Sequence, residues 1–122
     1  MIQLEYAKNN IVTSLMKKIA SAEGINPKLL MQRIREGKVV IPLNNQHQIK
    51  KPCGIGLGLR TKVNANIGTS TDKTELQGEL KKLAISLKYG TDTIMDLSVG
   101  GNLKQIRKAI LKHSPVPIGT VP

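Results

Sequence analysis

The sequence predicts an α/β fold, the beginning of a (β/α)8 barrel of the TIM type entered through a small helical segment. Three observations carry this expectation. First, Lys62-Val-Asn-Ala-Asn-Ile-Gly-Thr-Ser70 alternates apolar Val63, Ala65 and Ile67 with polar Lys62, Asn64 and Asn66 before breaking at Gly68, which is the period of a strand. Second, strand patterns begin near residues 61, 93 and 116 with helical patterns between them; such βαβ units pair in parallel through right-handed crossovers. Third, the sequence closes at Pro122 with no helix after the last strand, although a parallel strand needs both faces and edges covered. A complete barrel takes about 250 residues, so the stretch 61–122 reads as a truncated part of a larger sheet.

Taken in order, Thr13 stands before the apolar stripe Leu15, Met16, Ile19 and Ala20, and Gly24 stops it. Asn26 and Pro27 then begin a second short helix that runs to Gly37, giving a helical hairpin. Lys38-Val-Val-Ile41 reads as a short strand, and Pro42 to Cys53 as a polar loop carrying His47. This divides the chain into an N-terminal segment, 1–53, and a barrel portion, 54–122, with a linker around Cys53 to Arg60. In the barrel portion the first strand sends Val63, Ala65 and Ile67 into packing and Asn64 and Asn66 to the other face, near the strand's C-terminal end, where parallel α/β proteins bind ligands. Asp72, with Glu75 three positions on, is expected to cap a helix bearing Leu76, Leu80, Leu83, Ala84 and Leu87, ended by Gly90. Thr93-Ile-Met-Asp-Leu97 is the second strand. Asn102 caps a helix with the stripe Leu103, Ile106 and Ile110, and Pro115 to Val121 is the third strand.

Composition narrows the function classes. Hydrophobic residues make up 39% of the 122 positions, yet there is no Phe or Trp and only Tyr6 and Tyr89, so the core is built from Leu, Ile and Val. The formal charge of +11 raises nucleic acid as a partner. However, Lys81, Lys82, Lys88, Arg107, Lys108 and Lys112 lie along two helices between apolar stripes, and aromatic platforms for bases are missing. No stretch approaches the roughly 20 apolar residues of a membrane span, and the N-terminus has no signal-peptide core. With one cysteine, Cys53, the expectation is a cytoplasmic protein.

Several small motifs are weighed against plainer readings. Gly54-Ile-Gly-Leu-Gly58 looks like a phosphate loop but precedes a strand instead of opening a helix, so a flexible or tightly bent backbone is the simpler account. Ser98-Val-Gly-Gly101 is better placed, since it follows a strand and opens a helix whose dipole favours an anion. His47 and His113 are not at metal-ligand spacing, and Cys53 alone cannot hold an iron–sulfur cluster. By periodicity alone, Met95 is core filler.

Lys62-Val-Asn-Ala-Asn-Ile-Gly68, Met95-Asp-Leu-Ser98 with Gly100 and Gly101, and Ser114-Pro-Val-Pro-Ile-Gly-Thr-Val-Pro122 closely resemble the phosphomethylpyrimidine synthase (ThiC) family of thiamine biosynthesis. Gln3-Leu-Glu5, Glu23-Gly24, Val40-Ile-Pro42, Ile55-Gly56 and Gly58-Leu-Arg-Thr61 extend the resemblance over essentially the whole chain. It implies a radical S-adenosylmethionine enzyme on a (β/α)8 barrel that rearranges aminoimidazole ribotide into hydroxymethylpyrimidine phosphate. It also implies a [4Fe-4S] cluster, S-adenosylmethionine and zinc as cofactors, and a homodimer in full-length members. Asn66 and Met95 fall on the family's substrate-contacting positions. Val99 stands where the family usually carries threonine. The family's cluster cysteines, metal-binding histidines and phosphate-gripping loops have no counterpart here, so a chain of this extent is expected to be inactive alone. A related enzyme that turns the same ribotide into hydroxybenzimidazole shares these features. The alternatives from other classes are a non-catalytic interaction module or gene remnant, and a small basic nucleic-acid-binding protein.

Overall fold

The computed structural model describes residues 1–121; Pro122, the last residue of the Ser114–Pro122 run, lies outside the described residues. The chain forms two compact units. The first holds Met1–Pro42 and Pro52–Thr61, and the second holds Leu43–Lys51 and the chain from Lys62 onward.

The first unit begins with α1 (Gln3–Lys8), which the periodicity does not predict; its entry is fixed by the Glu5 carboxylate accepting from the Ile2 N–H at 2.8 Å. Helix α2 (Ser14–Glu23) starts as expected, with the Thr13 hydroxyl accepting from the Met16 N–H at 3.1 Å, and stops at Gly24 in the left-handed region. Helix α3 (Pro27–Arg35) follows the Asn26 cap, whose side chain accepts from the Lys28 N–H at 2.8 Å. Ala7, Met16, Ile19, Ala20, Leu30, Ile34 and Val39 make its core. Strand β1 (Val39–Val40) pairs antiparallel with β2 (Ile55–Gly56). The segment expected to be a linker is therefore part of this unit. Its glycines have a structural reason: a Cβ on Gly56 would lie 2.1 Å from the Lys38 carbonyl oxygen, so a side chain there would break the pairing. This supports the plainer account of the Gly54–Gly58 run.

The second unit is a three-stranded parallel sheet in the order β3 (Asn64–Ile67), β4 (Thr93–Asp96), β5 (Ile118–Thr120). Helices α4 (Leu76–Lys88) and α5 (Leu103–His113) make the crossovers. The register aligns Asn64 with Thr93, Ala65 with Ile94 and Ile118, Asn66 with Met95 and Gly119, and Ile67 with Asp96 and Thr120. Ile67, Leu83, Ile94, Ile106, Ile110 and Val116 form the core.

Four details depart from expectation. Val63 is 60% exposed and lies ahead of the strand, because its carbonyl accepts from the Asp92 and Thr93 N–H groups and its N–H donates to the Asp92 carboxylate. The apolar face of β3 is thus Ala65 and Ile67. Asp72 does not cap α4. Ser70 and Lys73 close a turn on each other, through Ser70 N to Lys73 O and Lys73 N to the Ser70 hydroxyl, and the helix begins later with Glu75 at the cap position. Ala84 is exposed, so the stripe of α4 is Leu76, Leu80, Leu83 and Leu87. All three strands are shorter than the runs that predict them.

Candidate functional site

Strand alternation places Ala65, Ile67, Ile94 and Ile118 against the two helices, so Asn64, Asn66, Thr93, Met95 and Gly119 share the opposite face. Asn64 and Asn66 are exposed and Met95 is half-buried. The two residues singled out from sequence, Asn66 and Met95, are register partners on neighbouring strands. Both lie in the C-terminal half of their strands, the end at which parallel α/β sheets bind ligands.

The face is organised by hydrogen bonds that the sequence does not display. The Thr93 hydroxyl donates to Asn64 Oδ1 at 2.9 Å, and Asn64 Nδ2 donates to Asn66 Oδ1 at 2.8 Å. Next to Met95 stands Gly119, on which a Cβ would lie 2.9 Å from the Met95 Cε and 3.1 Å from its sulfur. The thioether therefore lies over the glycine and supplies a soft apolar surface beside the amides. Thr93 and Gly119 are the members of this face that sequence reasoning missed. The period-two pattern of Thr93-Ile-Met-Asp carries the first, whereas the second depends on the register between strands.

The rim beyond the strands is closely tied. After β3, the Thr69 hydroxyl donates to the Gly100 carbonyl at 2.6 Å, and the Thr69 N–H donates to the Ser98 hydroxyl at 3.1 Å. Asp96, fully buried, accepts from both the Ser98 N–H and hydroxyl. The Val99 N–H donates to the Thr69 carbonyl, and the Gly100 N–H reaches the Thr69 hydroxyl. Three successive amides of the Ser98–Gly101 loop are thereby occupied, which leaves fewer of them to face an anion. An open depression of about 360 Å³ is lined by Asn66, Ile67, Gly68, Lys82 and Leu97. There Lys82 donates to the Gly68 carbonyl and pairs with buried Glu79, so its charge is partly offset. A larger concavity of about 540 Å³ lies between residues 44–50 and the segment from Lys108 to Pro115. It adjoins the N-terminal end of β5, the wrong end of the strands for a site of this class.

Among the described residues no group of three His, Cys, Asp or Glu side chains could hold a metal ion. Cys53 is buried in the first unit. His47 bonds to the Ser114 carbonyl and His113 to the Ala109 carbonyl. These residues do not fit an iron–sulfur cluster or a zinc ion. No helix among the described residues is long and apolar enough to cross a membrane.

The chain is similar to known proteins along its whole length. A phosphomethylpyrimidine synthase of Thermodesulfovibrio yellowstonii is 57% identical over 122 residues, all of this chain and 28% of that protein. The phosphomethylpyrimidine synthases of Methanococcus maripaludis and Carboxydothermus hydrogenoformans are 53% and 50% identical over the same 122 residues, again 28% of each protein. The chain thus spans under a third of the length of these curated relatives. The sequence model described as the radical SAM ThiC family matches residues 2–122, and the chain belongs to that family.

Proposed function

We propose that this chain forms the substrate-facing opening section of a phosphomethylpyrimidine synthase, a carbon–carbon lyase converting aminoimidazole ribotide to hydroxymethylpyrimidine phosphate. The observation that carries the reading is the register pairing of Asn66 with Met95 on the open face of the parallel sheet. On this reading β3, β4 and β5 are the first strands of a (β/α)8 barrel and the amide face looks into its interior. Asn66 hydrogen-bonds the ring or ribose of the ribotide, and Met95 packs against it. A carboxamide suits this task because it is neutral at every physiological pH and holds the substrate without adding a charge.

S-adenosylmethionine and an iron–sulfur cluster belong to the family's chemistry, and zinc accompanies them in the proposed full-length enzyme. Their ligands are assigned outside this stretch, whose own part is to bind and orient the substrate. The complete enzyme is a cytoplasmic homodimer with no nucleic-acid or membrane partner, and these 122 residues are inactive by themselves. Kinship with the named synthases supports hydroxymethylpyrimidine phosphate as the product over a hydroxybenzimidazole.

A chimera tests this directly, by joining this chain to the part of the Thermodesulfovibrio yellowstonii synthase that lies beyond the matched 122 residues. The expected result is conversion of the ribotide. Asn66→Ala in the chimera should raise KM by about tenfold, the worth of one or two hydrogen bonds to substrate, with an unchanged melting temperature. A folded chimera without turnover, or an Asn66→Ala variant with parental kinetics, overturns the assignment.

A further inference from the structure

We propose that Thr93 and Asn64 are positioning residues that decide which end of the Asn66 carboxamide meets the substrate, an inference that rests on Asn66 being a substrate contact. A carboxamide has a donor end and an acceptor end of nearly equal shape. Left free on an exposed strand face, it would present either. Here the direction is set by a relay across two strands. Asn64 Nδ2 donates to Asn66 Oδ1, and Asn64 Oδ1 accepts from the Thr93 hydroxyl, which holds the Asn64 side chain in place. The oxygen of Asn66 is thereby engaged, whereas among the described residues its Nδ2 has no partner.

The parallel register makes this geometry possible. Thr93 lies opposite Asn64, and Asn66 is two positions further along the same face, so three polar side chains meet without any loop taking part. The Asn66 amide nitrogen then projects as a double donor beside the apolar thioether of Met95. A face built this way selects an acceptor atom on the substrate: a ring nitrogen, a hydroxyl oxygen or a phosphate oxygen. It discriminates against a donor at that place, because two N–H groups facing a donor leave both unpaired.

Four variants of the chimeric enzyme test the relay through KM for the ribotide, kcat and melting temperature. Asn64→Asp replaces the donor with a second acceptor, draws the Asn66 amide nitrogen back toward itself and turns the oxygen outward. KM should rise about tenfold while kcat changes less than about threefold. Thr93→Val should raise KM about threefold by freeing Asn64, and Thr93→Ser should restore the parental value. Melting temperatures should remain near the parent for all of them.

A parental KM for Asn64→Asp overturns the proposal, since it means that the relay runs in the opposite direction or does not act. A lowered melting temperature with unchanged KM overturns it as well, by reducing the three residues to structural roles. Asn66→Ala separates the two levels of inference. If it raises KM while the Asn64 and Thr93 variants are neutral, the relay alone fails. If it leaves KM unchanged, the substrate contact fails and the relay with it.

Discussion

In the first unit, apolar side chains from three helices and β1 converge on one interior. In the second they gather on one side of the sheet and leave the other to Asn64, Asn66, Thr93, Met95 and Gly119. The first unit uses Thr13 and Asn26 at helix starts, Gly24 at a left-handed helix end and Gly56 at a close backbone contact, each a structural task. The second places hydrogen-bonding groups where folding does not require them. That contrast is the reason this face is proposed as the substrate-facing one. An exposed amide pair on a strand adds little to stability and costs β-propensity.

Core truncation should give the largest effect and test the contrast most directly. Leu30→Ala in the first unit and Ile94→Ala in the second each remove a fully buried side chain and should cost about 2–5 kcal/mol, measured by denaturant unfolding. Amide exchange should show the early loss of protection in α2 and α3 for Leu30→Ala, and in β4, α4 and α5 for Ile94→Ala. Identical exchange patterns for the two variants would erase the distinction between the units.

Helix caps come next. Thr13→Ala and Asn102→Ala each delete a side chain that accepts from a first-turn N–H and should cost about 1 kcal/mol apiece. Losses well under half of that would mean that water replaces these caps. The smallest effect concerns Glu36, whose carboxyl is held below its ordinary range by hydrogen bonds from Lys38 and then Gln32. A lowered folded-state pKa contributes stability above the unfolded value that disappears as pH falls through the folded one. Glu36→Gln should therefore flatten the acid slope of stability slightly, below about pH 5. The group is exposed, so a steep change on substitution would contradict the assignment.

Local signals were legible in the sequence wherever the physics is local. Thr13, Asn26 and Asn102 cap their helices because the accepting oxygen and the donor lie within three residues, and Gly24 stops α2 because only its own φ matters. Asp72 was misleading because a turn closed by Ser70 and Lys73 competes for the same stretch. The strand after the Gly54–Gly58 run argues against a phosphate loop, but what confines Gly56, the Lys38 carbonyl eighteen positions away, is not legible from its neighbours. For the candidate face, period two alone puts Asn64 and Asn66 on one side of the strand, and the resemblance draws attention to Met95. Thr93 and Gly119 were hidden because they join only through interstrand register, which no single run encodes.

The ties between Thr69, Ser98 and Gly100 have an evolutionary consequence. Parallel α/β enzymes diversify mainly by lengthening the turns that follow their strands. Here a Cβ on Gly100 would fall 2.2 Å from the Ser70 carbonyl oxygen, and the Thr69 hydroxyl is fastened to the Gly100 carbonyl. Two neighbouring turns are clasped into one piece, so lengthening either of them is expected to open the other as well.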